Sequence, residues 1–198
     1  MNPNVTIRMA TEEDAQELLS IYSPYVTQTA ISFEYDVPSI NEFAERIRNT
    51  LKKYPYLVAV EDNCIIGYAY ASAFKPRPAY DWSVELTVYL KQDCRAKGVG
   101  KKLYLAMENI LEHQNILNAN ACIAYSANND DYLDNVSAGF HQHLGYVKVA
   151  HFTKSGYKFG TWYDMIWMEK ILRKHPDTPS PFIPITAVAV ERLLKQSI

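Results

Sequence analysis

Apolar and polar residues alternate most cleanly between Trp82 and Leu90. Trp82, Val84, Leu86, Val88 and Leu90 fall on one face, and Ser83, Glu85, Thr87 and Tyr89 on the other. That two-residue period is the mark of a strand with one apolar side. A polar link and Arg95-Ala96-Lys97-Gly98-Val99-Gly100 follow, after which Leu103, Met107, Ile110 and Leu111 recur at the spacing of one helical face. A strand therefore runs into a glycine-bearing loop that opens a helix. Elsewhere the pattern predicts a short strand over 5–9, a helix that Pro24 ends, loop over 25–38, and a helix capped by Ser39 and Glu42. Strands over 56–60 and 65–73 form a hairpin, and a strand over 121–125 leads through the polar loop 126–135 into a short helix over 136–144. A last hairpin, 146–152 with 162–171, turns around Lys154-Ser155-Gly156. Prolines 176, 179, 181 and 184 predict an extended linker, with a short helix after Ile185. The expected class is α+β, a mixed and mostly antiparallel central sheet flanked by helices.

The loop at 95–100 carries the clearest chemistry. Glycines let backbone N–H groups approach a ligand where a side chain would collide, and the first N–H groups of a helix lack internal partners. Such a helix start suits a phosphate, and Lys97, Lys101 and Lys102 add positive charge there. Neither the dinucleotide fingerprint GxGxxG nor the GxxxxGK[ST] loop is present. The competing reading is a plain strand–helix connection with two turn glycines.

Composition narrows the class. The chain has 198 residues, 48% of them hydrophobic, enough for one domain with a real core. A formal charge of −2, without a Lys/Arg stripe, argues against a nucleic-acid partner. Cys64, Cys94 and Cys122 have neither zinc nor disulfide spacing, so no metal is expected and a reduced cytoplasm is the expected setting. No segment reads as a signal peptide or membrane span.

Arg95-x-x-Gly98-x-Gly100 after an apolar strand resembles the pyrophosphate loop of the GNAT acetyltransferase superfamily. The chain is most similar to the phosphinothricin N-acetyltransferases, in YPYLVAVED (54–62), IIGYAYASAFKPRPAYDWSVELTVYL (65–90), RAKGVGKKLY (95–104), FHQHLGY (140–146) and GYKFGTWYDMIWMEK (156–170). The resemblance implies an acetyltransferase domain over 1–172 and leaves 173–198 as a proline-rich extension. It implies a splayed strand pair in the sheet and acetyl-CoA as cosubstrate. The coenzyme would be held by Val88, Tyr89 and Leu90, by Arg95, Ala96, Lys97, Gly98, Val99, Gly100 and Lys101, and by one asparagine. About five extra residues in 126–135 leave that asparagine as Asn128, Asn129 or Asn135, of which Asn129 is chosen.

The resemblance also implies roles for side chains. Glu85 falls at the catalytic glutamate position, where partial desolvation would raise its pKa and let it accept the ammonium proton; an ordinary solvent-facing strand glutamate is the alternative. His141 stands at the family's histidine position as a second catalytic candidate, whose ordinary pKa near working pH would let it orient the substrate or pass protons; a surface or packing histidine is the alternative. Tyr125 and Tyr146 are conceivable acids for the leaving thiolate. Lys75, Arg77 and Tyr80 match the substrate-contacting segment and suit a free carboxylate or phosphinate, and Phe33 is a candidate cleft wall. The implied activity is N-acetylation of phosphinothricin-like amino acids, including methionine sulfone and sulfoximine, by a homodimer. The alternatives are another small amine, a peptide N-terminus, or a non-catalytic acyl-CoA-binding module.

Overall fold

The computed structural model describes residues 5–128 and 130–196. In order, the elements are β1 (Thr6–Met9), α1 (Ala15–Gln28), α2 (Ile40–Thr50), β2 (Tyr56–Glu61), β3 (Cys64–Ala73), β4 (Ser83–Leu90) and α3 (Val99–His113). There follow β5 (Asn118–Tyr125), α4 (Val136–His143), β6 (Val147–Lys158), β7 (Thr161–Ile171) and α5 (Val190–Gln196). The seven strands form one sheet in the order β1-β2-β3-β4-β5-β7-β6. Every adjacent pair is antiparallel except β4–β5.

The alternation in β4 sorts its residues between two cores. Val84 and Leu86 pack with Leu103, Met107, Ile110 and Leu111 of α3, while Tyr89 joins the other face, where α1 and α2 cover Tyr56, Val58 and Tyr68. The Ser39 cap is present, its Oγ accepting from the Glu42 N–H at 3.2 Å. Asp62 and Asn63, at φ 49° and 61°, make the β2–β3 turn with the left-handed geometry that tight hairpins favour.

Two expectations are corrected. Pro24 does not end α1, which continues to Gln28. The lost backbone bond is outweighed because the last turns bury Tyr25 and Val26 in the sheet-facing core. The final hairpin turns at Phe159-Gly160 and not at 154–156, so β6 is longer than its periodicity suggests. Lys154 and Ser155 instead lie in a register shift between Phe152 and Gly156. Asp164 holds this bulge, accepting from the Lys154 N–H at 2.8 Å and pairing with His151 Nε2 at 2.7 Å.

The proline-rich segment is extended but docked. Trp82 Nε1 donates to the Ser180 carbonyl at 2.7 Å, Gln114 Nε2 to that of Ile183 at 2.8 Å, and the Ile185 N–H to that of Lys53 at 3.0 Å. Ile185, Val190 and Leu193 then complete the core under α3.

Candidate active site

The parallel β4–β5 ladder has only three rungs, Ser83–Asn118, Val84–Ala119 and Glu85–Asn120. Asn120, buried at the last rung, donates to Ser83 Oγ at 2.9 Å and to the Val84 carbonyl at 3.1 Å, stitching the strands together where they part. Beyond Glu85 the strands splay. A slot opens between Leu86–Tyr89 and Ala121–Ala124, closed on one side by Tyr104 and His141 and on another by Ile31 and Leu133. A groove of about 230 Å³ continues from it past Val88, Leu90 and Phe140 to Arg95, Ala96, Gly98, Gly100 and Lys101. Ile31, Val88 and Ser137 line both, so slot and groove are one channel.

The groove ends on the start of α3. Gly98 caps that helix at φ 83°, and the first helical bond to Gly98 O comes from Lys102 N–H at 3.1 Å. The N–H groups of Val99, Gly100 and Lys101 are thus left without helical partners, as at any helix start. Gly100 is confined by Phe140, whose ring lies 3.2 Å from where a Cβ would stand. Backbone donors, the helix dipole, Arg95 and Lys101 together make an anion seat.

Glu85 sits where the ladder ends. It is half-buried, and burial raises its pKa against the smaller opposing effect of the Lys75 charge. The Lys75 ammonium lies over an aromatic platform, 5.1 Å from the Phe74 ring centre and 5.5 Å from that of Trp167. Cys122 faces the same charges, and burial followed by the Glu85 carboxylate pushes its thiol up to about 12. On the other wall His141 is buried. Its Nδ1 donates to the Ser137 carbonyl at 2.7 Å, so the neutral ring presents Nε2 as acceptor to the Tyr104 hydroxyl at 2.8 Å. Burial pushes His141 down to about 4 and Tyr104 well above its ordinary value. The slot is therefore lined by a neutral hydrogen-bonded pair.

Residues 7–167 match the family described as the acetyltransferase (GNAT) domain. The chain belongs to the GNAT acetyltransferase family. It is 30% identical over 184 residues, 93% of this chain and 96% of the other, to a phosphinothricin N-acetyltransferase of Streptomyces viridochromogenes. It is 27% identical over 172 residues, 86% and 96% of the two chains, to an L-methionine sulfoximine/L-methionine sulfone acetyltransferase of Salmonella typhimurium. Among solved structures, a GNAT superfamily phosphinothricin acetyltransferase from Sinorhizobium meliloti in complex with AcCoA superposes with a TM-score of 0.80 at 29% identity, covering 92% of this chain and 98% of that one. This GNAT protein is an acetyl-CoA-dependent N-acetyltransferase. The channel fits the coenzyme: its anion seat suits a diphosphate, and the slot between splayed strands suits a narrow amide-bearing arm. Among the described residues no cluster suitable for a metal ion is present.

The residues singled out by sequence distribute as follows. Arg95, Ala96, Gly98, Gly100 and Lys101 line the GNAT groove, whereas Lys97 is exposed beside it and the Val99 side chain is buried in the core. Val88 and Tyr89 border the slot. Leu90 lines the groove by its side chain, because the Tyr25 hydroxyl already donates to its carbonyl at 2.6 Å. Asn129 lies outside the described residues. Asn135 is tied back to the residue that follows β5, its amide donating to the Ser126 carbonyl at 2.8 Å. Phe33 packs on Tyr163 at 6.3 Å and covers Gly156, leaving no room there for a Cβ. Arg77 is exposed, and Tyr80 packs edge-on against Phe74 at 5.9 Å, beside the Lys75 platform, while also lining a hollow with Trp82 and His175 under the tail.

Two expectations change on physical grounds. His141 does not titrate near working pH, because burial removes the charged form. Neither Tyr146 nor Tyr125 lines the slot: Tyr146 is buried and donates to Glu108 at 3.2 Å, and Tyr125 stacks edge-on against His151. Besides Tyr89 the slot is lined by Tyr104, which sequence reading passed over because it looks like one more apolar position on α3. Ser137, Tyr25 and Ile31 were missed for a similar reason, coming from elements far apart in the chain.

Proposed function

We propose that this enzyme acetylates the α-amino group of phosphinothricin-like amino acids: phosphinothricin, methionine sulfone and methionine sulfoximine. The observation that carries the reading is a desolvated Glu85 at the last rung of the β4–β5 ladder, next to Leu86 where the slot begins and within the field of the Lys75 charge. The coenzyme supplies an activated acetyl thioester. Glu85 accepts the ammonium proton of the acceptor, which leaves the nitrogen lone pair free to attack the thioester carbonyl; the C–S bond then breaks, and coenzyme A leaves as a thiolate whose charge is balanced by the proton lost from the newly acylated nitrogen. Lys75, with Arg77 on the same loop, attracts the acceptor carboxylate. Tyr104 and His141 keep the slot neutral and dry. Arg95, Lys101 and the N–H groups of Val99 and Gly100 hold the diphosphate end, with Ala96 and Gly98 shaping the turn and Val88, Tyr89 and Leu90 walling the arm.

A second copy is part of this reading. β6 is a free sheet edge, and Val147, Val149, Phe152, Tyr157 and Trp162 on its hairpin are each 48–61% exposed. A long apolar edge calls for a cover, which a two-fold partner supplies.

Coenzyme A release, followed by thiol titration, tests the substrate class. The panel contains phosphinothricin, methionine sulfone, methionine sulfoximine, plain amino acids and a short peptide. Turnover confined to the first three supports the assignment, and faster turnover with the peptide overturns it. Sedimentation of the same protein should show a dimer; a monomer at micromolar concentration removes the second copy from the mechanism.

A further inference from the structure

A second cavity, of about 420 Å³, lies on the α2 side of the sheet and abuts the slot, with Tyr89 lining both. It begins at Ser72, the residue directly opposite Glu85 in the β3–β4 ladder. Its walls are aromatic: Tyr56 stacks on Tyr70 at 4.9 Å and on Tyr68 at 5.7 Å, and Tyr68 leans on Tyr89 at 5.5 Å. At the far end stand Glu34 and Arg46, joined at 2.8 Å through Glu34 Oε1. Arg46 is engaged a second time, its other terminal amino group held by Glu42 at 2.8 Å. The second carboxylate oxygen, Glu34 Oε2, is buried and makes no hydrogen bond. The neighbouring Tyr22 hydroxyl shares a 2.6 Å hydrogen bond with Ser32 Oγ, in which either oxygen can donate, and it also lies close enough to Glu34 to feel that carboxylate.

A buried carboxylate oxygen without a partner is costly, and it is most simply satisfied by a donor brought in from outside. Tyrosine faces around it favour the positive edge of an N–H group and disfavour an anion. Tyr70, in the cavity wall between Ser72 and the Glu34 end, feels the charges of both Glu85 and Glu34.

We propose that this cavity receives the acceptor's side chain and that Glu34 selects a side chain ending in an N–H donor. The inference rests on the assignment of Glu85 and Lys75 to the amino and carboxylate groups of an amino acid, and it refines that assignment. The sulfoximine group, which carries an N–H, is the preferred ending. The sulfone offers no donor, and the phosphinate brings a negative charge toward Glu34.

The test measures affinity of the coenzyme-A-bound protein, by calorimetry, for four amino acids: methionine sulfoximine, methionine sulfone, phosphinothricin and lysine. Coenzyme A release is measured in parallel with acetyl-CoA. Methionine sulfoximine and lysine should bind about tenfold or more tighter than the sulfone and phosphinothricin, the worth of a hydrogen bond to a charged group. Glu34→Gln should collapse the sulfoximine-to-sulfone ratio toward unity while coenzyme affinity is kept. Ser72→Leu, which fills the entrance without touching Glu34, should weaken all four. Equal affinities, tighter phosphinothricin binding, or a ratio indifferent to Glu34→Gln overturns the inference. Turnover without the donor preference overturns the cavity assignment alone; the donor preference without coenzyme A release leaves the cavity standing and overturns the acetylation of these acceptors.

Discussion

A carboxylate that loses solvent holds its proton more tightly, and Glu85 is in that position. It works as a base only when ionised, so turnover should rise with pH through a value above the ordinary carboxylate range. Glu85→Gln should lower kcat by about 10²- to 10⁴-fold, the usual worth of a positioned general base, and should erase that limb of the pH–rate profile. The same substitution should stabilise the fold at neutral pH. A raised folded pKa means that the stability associated with Glu85 is present in acid and lost as pH rises through the folded value. A thermal melt at neutral pH checks this sign. His141 works the other way. Its folded pKa of about 4 lies below the ordinary 6.5, so its contribution is present above 6.5 and is lost as pH falls toward 4. That window carries about 3 kcal/mol. Urea melts across it should show a slope that His141→Gln flattens.

At the scale of elements, two joints decide whether the channel exists. The first is the turn into α3. Gly98 has open space around it but stands at φ 83°, so a side chain there is opposed by the backbone and not by neighbours. Gly98→Ala should cost about 1 kcal/mol or more of folded-state stability, because the fold itself holds this φ. The melting temperature should fall by about 2–4 °C, and relaxation of the loop away from this geometry should appear in calorimetry as weaker acetyl-CoA binding. The second joint is Lys158. Its ammonium is buried, donating to the carbonyls of Val26 at 2.7 Å, Thr29 at 2.9 Å and Ser32 at 2.6 Å. This pins the end of α1 and the 29–34 segment, which carries Ile31 and Glu34, to the β6–β7 hairpin. Lys158→Met leaves three carbonyls without their donor. It should destabilise the protein by about 3 kcal/mol or more and expose the segment to proteolysis. Unchanged stability in chemical denaturation would show that the pin is dispensable.

At the scale of the molecule, the C-terminal extension belongs to the core it covers. Ile185, Val190 and Leu193 are buried against α3 and the sheet, and the extended stretch before them is held by carbonyl contacts from Trp82, Gln114 and Asn115. Truncation after Arg173 should lower the melting temperature by several degrees, since three buried aliphatic side chains leave apolar surface open. It should spare the anion seat, because no residue of the extension lines that groove. A truncated protein that keeps its melting temperature would make the extension a passive tail.

Much of the architecture was legible in local order. The two-residue alternation of β4 divided its residues between the faces they occupy, and the apolar period after Gly100 marked α3 and its loop as an anion seat. The resemblance carried by the AYDW segment and the loop named the family. These signals survive because they depend on neighbours in the chain, where strand and helix periods are imposed by backbone geometry. What local order did not contain was decided by partners far apart. Pro24 reads as a helix end until Tyr25 and Val26 find the sheet. Tyr104 is one more apolar position until His141 meets it. Lys158 is a surface cation until three carbonyls from α1 and its loop surround it. The point at which β4 and β5 part, which makes the slot, is set by the packing of the whole sheet, since a ladder ends where the strands' separate partners pull them apart and no residue alone encodes it.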